Sequence, residues 1–373
     1  MKMKKNKGIS YLRTAFLALF TILVTAASYL HVTGGIADAP SIHALCPFGG
    51  LESLYQVFTA GSLISKIFSG TMILFGITLV MAILFRRSFC GLICPFGAIQ
   101  EFFAWIGHLI FKRKLIIPAI IDRPLRYLKY IVLIITVAFA WITAGLWMAP
   151  YDPWSAYGHL AEGLASVWET TAVGLILLVI TIIGSVLYDR FFCKYLCPMG
   201  AFYAIIGKIS PLKVVRNEQT CISCGICNKV CPVNIDVMHT KEVRSAECLN
   251  CQLCVLDCPV SGALENKMGK KSWKPLVVII LVIALFFGAT LGFKAAGLYP
   301  LTPNQAASGE QINYGDIKGS MTIAVAAEST STELDAFYVK FQIPASVPPE
   351  TKMKDIADTV PGYDFDAIKS SFQ

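Results

Sequence analysis

The chain has 373 residues, of which 55% are hydrophobic and only 15% are charged. Soluble domains have about a quarter of their residues charged, so the composition excludes an ordinary soluble protein and favours a membrane protein. The net charge is +8, yet residues 305–373 contain five Lys, no Arg and ten Asp or Glu. The basic excess therefore lies in the rest of the chain, where it flanks apolar segments. Membrane topology explains that placement, and a nucleic-acid partner is disfavoured.

Five apolar segments are predicted to form transmembrane helices. Their predicted bounds are 11–32, 69–84, 127–148, 171–187 and 273–293. The second and the fourth are shorter than the about 20 residues that a full span needs. An alternative for the first segment is a cleaved signal peptide, which we disfavour because the apolar stretch is long for one.

The basic residues predict the orientation of these helices. Lys and Arg precede the first, third and fifth segments and follow the second and fourth, whereas residues 149–170 contain neither. Positively charged flanks stay in the cytoplasm. We therefore expect a multi-pass protein of the bacterial cytoplasmic (inner) membrane, in contact with lipid, with a cytoplasmic N-terminus and an extracytoplasmic C-terminus.

A single thiol follows the first segment, in the short stretch 45–50 that begins Leu-Cys-Pro-Phe-Gly. Cys46 is a candidate iron ligand, a candidate haem-type ligand or a buried thiol, and His43 lies three residues before it. The buried thiol is favoured, because free cysteines often only pack. No CxxCH motif supports covalent c-type haem.

A fuller version of this motif occurs twice. Phe-Cys-x3-Cys-Pro stands at 89–95, after the second segment, and again at 192–198, after the fourth. The i, i+4 spacing puts both thiols of a copy on one helical face; alternatively the proline opens a new helix and leaves Cys94 and Cys197 near helix N-termini. If the copies face each other, four sulfurs meet at the cytoplasmic edge of the membrane and make a third metal site. That reading competes with redox thiols that shield other clusters and with simple packing; the four residues are Cys90, Cys94, Cys193 and Cys197.

Two cysteine runs follow the fourth segment, each with the spacing C-x2-C-x2-C-x3-C-P that bacterial ferredoxins use for [4Fe–4S] clusters. The fourth cysteine of each run ligates the other cluster in two-cluster ferredoxins. Zinc is disfavoured because its sites show separated CxxC pairs, and disulfides because iron ligation needs reduced thiolates. The predicted ligand sets are Cys221, Cys224, Cys227 and Cys258 for cluster 1, and Cys248, Cys251, Cys254 and Cys231 for cluster 2.

The C-terminal region is predicted to be a small, acidic, extracytoplasmic helical module without Cys or His. Thr322 and Thr332 are predicted helix caps, and further short helices are expected at 352–359 and 364–372. The predicted fold class is thus a membrane all-α bundle of about five transmembrane helices, with an inserted two-cluster bacterial ferredoxin-like domain and this module. The predicted domains are 1–212, 213–268, 269–296 and 297–373.

The paired CxxxCP motifs and the tandem ferredoxin block resemble the NapH/NosR-type membrane iron–sulfur proteins, the polyferredoxin-like subunits of periplasmic nitrate reductase and nitrous-oxide reductase systems. The resemblance covers about residues 70–265. It implies a membrane electron-transfer protein of the quinol dehydrogenase type. The chain lacks the flavin-binding domain of the longer members, and its acidic module and Cys46 copy do not map onto the smaller ones.

The sequence therefore predicts a membrane-bound iron–sulfur protein that transfers electrons between a cytoplasmic donor or the quinone pool and a membrane or extracytoplasmic redox partner. Two [4Fe–4S] clusters are expected, with a third iron–sulfur cluster and a quinone as further candidate cofactors. Expected partners are other redox subunits and a cytoplasmic ferredoxin, flavodoxin or quinol. No catalytic pocket is visible in the sequence, so a redox subunit of an oxidoreductase complex is expected. The alternative is a membrane iron–sulfur regulatory or assembly factor for a neighbouring reductase.

Overall fold

The computed structural model of the protein describes residues 7–33, 42, 45–60, 69–143, 146–299 and, with short gaps, most of 314–372. The chain divides into two compact units, Met1–Thr302 and Pro303–Gln373. Each unit has its own hydrophobic core among the described residues. The predicted boundaries inside the first unit, at 212 and 268, stay predictions, because the ferredoxin region packs directly against the helices.

The first unit is mostly helical. Its helices, in chain order, are α1 Lys7–Val32, α2 Phe48–Ala60, α3 Ser69–Phe85, α4 Ser88–Leu92, α5 Pro95–Phe111, α6 Ala119–Thr143, α7 Pro153–His159, α8 Leu164–Leu187, α9 Phe191–Tyr195, α10 Pro198–Ile206, α11 Ile226–Lys229, α12 Leu253–Leu256 and α13 Pro275–Ala295. Single 3-10 turns lie at Ala149–Tyr151, Leu160–Glu162 and Gly207–Ile209.

Four helices among the described residues are long and apolar enough to cross a membrane: α1, α6, α8 and α13. Helix α3 is apolar but has only 17 residues. The outer faces of the long helices carry exposed aliphatic side chains, such as Ile22 at 64% exposure, Ile134 at 68% and Ile183 at 57%. Water would penalise such faces, whereas lipid accepts them.

Helix α6 starts eight residues before its prediction and ends five residues before it. The prediction read Arg126 as a flanking charge, but Arg126 lies inside the helix and pairs with Asp122 one turn earlier at 2.5 Å. Its guanidinium also donates to the carbonyl of Val233 at 2.9 Å. Pro124 stands in the second turn, where its missing N–H leaves the carbonyl of Ile120 without the usual helical hydrogen bond.

The segment predicted over 171–187 was short for a full span, with adjoining apolar residues as one way to extend it, and the structure shows that extension in α8. The helix runs over 24 residues from Leu164. Its backbone is non-helical at Thr171, with φ −139° and ψ 41°. The kink therefore divides one span rather than starting it. The fifth predicted span shifts by two residues, because Pro275 opens α13 and Trp273 belongs to a strand.

Three antiparallel strands close the ferredoxin region: β1 Leu212–Arg216, β2 Leu264–Met268 and β3 Lys271–Trp273, in the order β1-β2-β3. Leu212 pairs with Met268 and Arg216 with Leu264. The strands bracket the cysteine runs in the sequence, so the sheet brings the beginning and the end of the ferredoxin region together. Strand β3 then leads directly into α13.

The helices contact the ferredoxin region and the CxxxCP copies with alternating ends. Helices α1, α6 and α13 use their N-terminal parts, whereas α3 and α8 use their C-terminal ends. Arg13, near the start of α1, donates to the carbonyl of Gly91 at 2.6 Å. The carbonyl of Phe85, at the end of α3, accepts from Asn250 at 2.9 Å. Lys129, in the first half of α6, pairs with Glu247 at 2.5 Å. Helix α8 ends at the second CxxxCP copy, and α13 begins at the sheet.

The described residues of the second unit form four short helices: α14 Ile323–Ser329, α15 Leu334–Lys340, α16 Ile356–Thr359 and α17 Phe365–Ser370. A 3-10 turn, Met353–Asp355, precedes α16. Thr322 caps α14 by accepting from the backbone N–H of Val325 at 3.4 Å, as predicted. Glu333 rather than Thr332 is the N-cap residue of α15, because the Thr332 hydroxyl bonds to the carbonyl of Thr330 instead.

Candidate iron–sulfur centres

The ferredoxin cysteines surround two separate cavities. One cavity is lined by Cys221, Cys224, Cys227 and Cys258. The other is lined by Cys231, Cys248, Cys251 and Cys254. Each cavity thus receives three thiols from one run and the last thiol of the other run. This donor chemistry fits an iron–sulfur cluster in each cavity.

Both cysteine loops use the same backbone conformation. Ser223 and Gly225 in the first run, and Asn250 and Gln252 in the second, all have positive φ between 50° and 72°. Such backbones are costly for residues with a side chain and persist where their surroundings hold them. Gln252 donates to Asn250 at 2.7 Å and accepts from Asn266 at 2.6 Å. All three amides of this network are buried.

Burial affects thiols in both cavities. It raises the pKa of Cys251 to about 11 and that of Cys231 in the cavity of cluster 2, and it raises the pKa of Cys258 in the cavity of cluster 1. The N–H of Ser223 lowers the pKa of Cys221. Raised pKa values keep unligated thiols protonated at neutral pH, so ligation in either cavity must displace protons.

The two CxxxCP copies have the same local structure. Cys94 N–H donates to the carbonyl of Phe89 at 2.9 Å, and Cys197 N–H donates to the carbonyl of Phe192 at 2.9 Å. Pro95 and Pro198 then open α5 and α10. Of the two sequence alternatives, the structure has the one in which proline opens a helix. The i, i+4 face does not form, because α4 and α9 end before the second cysteine.

The copies face each other, so that their thiols converge. Each of Cys90, Cys94, Cys193 and Cys197 lies within electrostatic range of the other three. Gly200 N–H donates to the sulfur of Cys197 at 3.2 Å, and Gln100 Nε2 donates to the sulfur of Cys193 at 3.2 Å. We call these four residues the four-thiol site.

Two buried arginines join the copies reciprocally. Arg190, before the second copy, donates to the carbonyl of Cys90 at 2.8 Å. Arg87, before the first copy, donates to the carbonyl of Cys193 at 3.4 Å. A methyl group on Gly97 would overlap the Arg190 guanidinium, and one on Gly200 would lie 2.8 Å from Arg87 Nη2. The glycines therefore let each guanidinium reach across the interface.

Each arginine belongs to a triad of two cations and one carboxylate. Arg190 and Arg13 pair with Glu101 at 2.6 and 2.8 Å. In the other triad, the buried cations Arg87 and Lys129 pair with Glu247 at 3.1 and 2.5 Å. Burial alone would raise the pKa of Glu101, but its two arginines lower it to about 2, so Glu101 is ionised at neutral pH.

The four-thiol site lies directly beside the cavity of the predicted cluster 2, which we call cavity 2. A Cβ on Gly91, between Cys90 and Cys94, would lie 2.5 Å from the carbonyl oxygen of Leu249 and 3.1 Å from Cα of Cys251. Lys114 on the α5–α6 connection also reaches cavity 2, where its ammonium donates to the carbonyl of Cys231. The backbone segments of the two sites are therefore in direct contact.

Cys46 and Asp152 occupy equivalent places before two short helices. Each precedes a proline and accepts from the backbone N–H two residues later, Phe48 for Cys46 and Trp154 for Asp152. Cys46 lies within electrostatic range of Cys94 and of Asp152. Glu52 is 3% exposed, and its Oε1 has no hydrogen-bond partner among the described residues. His43 lies outside the described residues.

Gln100 and Arg13 contact the CxxxCP copies, and Lys129 and Glu101 pair with charged residues beside the sites, although none of the four was predicted from the sequence. Only their long-range contacts reveal them, since none belongs to a recognisable motif. In the part of the chain that the structure describes, no three Cys, His, Asp or Glu side chains converge on a single metal-ion position. The ferredoxin cysteines instead line two cavities, which suits polynuclear clusters better than single ions.

Comparison with known proteins agrees with this geometry. The family model of a 4Fe–4S binding domain matches residues 70–118 and 170–217, and that of a 4Fe–4S dicluster domain matches 213–264. The electron transport protein YccM of Escherichia coli is 31% identical over 237 residues, which are 63% of this chain and 66% of YccM. The ferredoxin-type protein NapH of Haemophilus influenzae is 30% identical over 180 residues, 47% of this chain and 59% of NapH. The regulatory protein NosR of Pseudomonas aeruginosa is 27% identical over 234 residues, 62% of this chain and 30% of NosR.

The chain belongs to the NapH/NosR-type 4Fe–4S ferredoxin-like proteins. Together with its apolar helices, this membership makes it a membrane protein with an iron–sulfur electron-transfer role. The chain spans 66% or less of the length of these three relatives. No solved structure matches this NapH/NosR-type chain.

Proposed function

We propose that this NapH/NosR-type chain passes single electrons between a donor at its ferredoxin face and an acceptor in the membrane or on its outer side. When bound, the clusters supply one-electron redox chemistry. The chain contributes two cysteine-lined cavities, a four-thiol site beside them and apolar spans that hold these sites at one end of the bundle. The single observation that carries the proposal is the convergence of the four thiols next to cavity 2.

The four-thiol site is proposed as a third iron–sulfur centre. Both CxxxCP copies contribute two thiols, and both lie within the segments that match the 4Fe–4S binding domain. Buried cations surround the thiols, which favours a bound anion over an empty pocket of neutral groups. This supports one shared centre rather than one centre for each copy.

The proposed topology has five spans, with the ferredoxin region in the cytoplasm and Pro303–Gln373 outside. The alternating helix ends that touch the ferredoxin region support it, as does the distribution of Lys and Arg. Helix α3 then crosses together with neighbouring residues or with local thinning of the bilayer. Partners are other redox subunits, with a small acidic electron carrier such as a ferredoxin or flavodoxin, or a quinol, as donor.

A vesicle experiment tests the proposal. The protein is reconstituted in liposomes, reduced ferredoxin is added outside, and the acceptor is either trapped ferricyanide or decylubiquinone in the bilayer. Since reduced ferredoxin cannot cross the membrane, its oxidation by trapped ferricyanide requires transfer through the protein, and its oxidation by decylubiquinone counts only above the rate in protein-free liposomes. We expect oxidation with at least one acceptor, and its loss in the Cys94→Ala/Cys197→Ala variant.

Cys46→Ala is the matched control, because this cysteine lies outside the four-thiol site. The Cys46→Ala variant is expected to retain electron transfer. No oxidation with either acceptor by protein whose clusters are fully reducible would contradict the proposal. That result would favour the second candidate, a redox-sensing regulatory factor, which is consistent with the description of NosR as a regulatory protein.

A further inference from the structure

The two ion triads around the four-thiol site have unequal numbers of cations and anions. Arg190 and Arg13 share one carboxylate, Glu101, and each of these two pairings is 2.8 Å or shorter. Each triad therefore retains one net positive charge. Arg87, Arg190 and Lys129 are at most 1% exposed, so water does not screen this excess.

Buried charge without a counter-ion is strongly unfavourable. Four thiolates carry four negative charges and an oxidised iron–sulfur core carries two positive ones, so a bound cluster has a net charge of about −2. The two triads offset that charge, and a third group of two cations and one carboxylate, Lys194 and Arg126 with Asp122, includes the residue that follows Cys193 in the chain. Both arginines lie near the sulfurs: Arg87 lies within electrostatic range of Cys90, Cys193 and Cys197, and Arg190 of Cys193 and Cys94.

We propose that Arg87 and Arg190 are positioning residues that set the reduction potential of the third centre, and that Glu101 and Glu247 partly neutralise their positive charge. This inference rests on the proposed third centre. Reduction adds one negative charge at the four thiols, so a nearby guanidinium favours the reduced state and a nearby carboxylate opposes it. Gly97 and Gly200 are part of the arrangement, because a side chain at either position would push a guanidinium away.

The triads also tie the third centre to cavity 2. Glu247 immediately precedes Cys248, a residue that lines cavity 2, and pairs with Arg87 and Lys129. Arg13 pairs with Glu101 and also donates to the carbonyl of Gly91, which abuts Cys251. The same salt bridges that balance the charge therefore hold the two sites at a fixed separation.

The test is an EPR-monitored redox titration of the full-length protein in detergent, with iron measured for each variant. Arg190→Gln is expected to lower the potential of the third centre, and Glu101→Gln to raise it. Each change should alter the equilibrium constant for reduction about tenfold or more. Arg190→Lys keeps the charge and should shift the potential less than Arg190→Gln.

Two glycine variants provide a matched comparison. Gly97→Ala displaces Arg190 and should lower the potential, whereas Gly76→Ala in α3 should not change it, because a Cβ there meets nothing within 4 Å. If these residues had a merely structural role, Arg190→Gln and Glu101→Gln would shift the reduction potential in the same direction. If Arg190→Gln loses its iron, Arg190→Lys and Glu101→Gln still show the direction of the shift.

Unshifted potentials, or shifts of one sign in both variants, would overturn the inference while leaving the third centre in place. About eight irons in the wild-type chain would mean that the third centre does not exist, and the charge role would fall with it. About twelve irons with shifts of opposite sign would support both.

Discussion

At the residue scale, small residues decide how closely the sites approach one another. Gly91 has no room for a side chain, because a Cβ would lie 2.5 Å from the carbonyl oxygen of Leu249. Its place between Cys90 and Cys94 makes it the contact between the four-thiol site and the second ferredoxin loop. A close approach of two backbones is a common reason for glycine.

Gly91→Ala is therefore expected to destabilise the protein by about 1–3 kcal/mol through overpacking. The second ferredoxin loop should also move away from the CxxxCP copy, and cluster 2 should be lost first on mild heating. Thermal unfolding followed by the visible absorption of the clusters measures both effects. An unchanged unfolding temperature, equal to that of Gly76→Ala, would contradict the tight contact.

The crossed ligand sets make a second residue-scale prediction. Cys258 lines the cavity of the first run and Cys231 that of the second. We expect Cys258→Ala to remove the signal of cluster 1, the more exposed cluster, and Cys231→Ala to remove that of cluster 2. EPR of the two variants checks the assignment, and the opposite pairing of losses would refute it.

At the scale of elements, the spans are arranged as two similar halves. Helix α3 with α4 and α5 corresponds to α8 with α9 and α10, and in each half a CxxxCP copy lies where the second helix meets the third. Both halves present their copy to the same centre, with an arginine from each reaching the other. The repeat in the sequence is thus the physical basis of a site that neither half builds alone.

Reporter fusions test the orientation of these elements. A periplasm-active phosphatase fused after Glu162 should be active, because the segment before α8 has no basic residue and is predicted to lie outside. The same reporter after Gly269 should be inactive, since it follows the ferredoxin region on the cytoplasmic side. Activity in the reverse pattern would overturn the topology.

At the scale of the whole molecule, the two compact units have separate cores. The second core gathers residues such as Phe337, Phe341 and Met353, all fully buried within Pro303–Gln373. Removing 303–373 should therefore leave the iron content and the unfolding temperature of the remainder unchanged within error. A loss of iron in this truncated protein would show that the second unit supports the centres.

Much of this account could be predicted from residues. The spacing of the ferredoxin cysteines predicts which four thiols share a cavity, because short loops restrict their geometry. Prolines predict the starts of α5 and α10. Helices α2 and α7 were not predicted, because they are short and their stability depends on burial against other helices.

The charged triads were also not predicted from the sequence. The apolar composition of the spans indicates few buried ionisable groups, whereas Arg13 and Lys129 are buried in α1 and α6. Their partners Glu101 and Glu247 are 88 and 118 residues away in the chain. Such pairings depend on the tertiary fold and leave no local pattern in the sequence.

The most direct test of the central claim is the amount of iron and acid-labile sulfide per chain in anaerobically purified protein, measured with EPR. We predict about twelve irons in the wild type and about eight in Cys94→Ala/Cys197→Ala, with one EPR signal lost. About eight irons in both proteins would contradict the third centre and would leave the CxxxCP cysteines as structural or redox thiols.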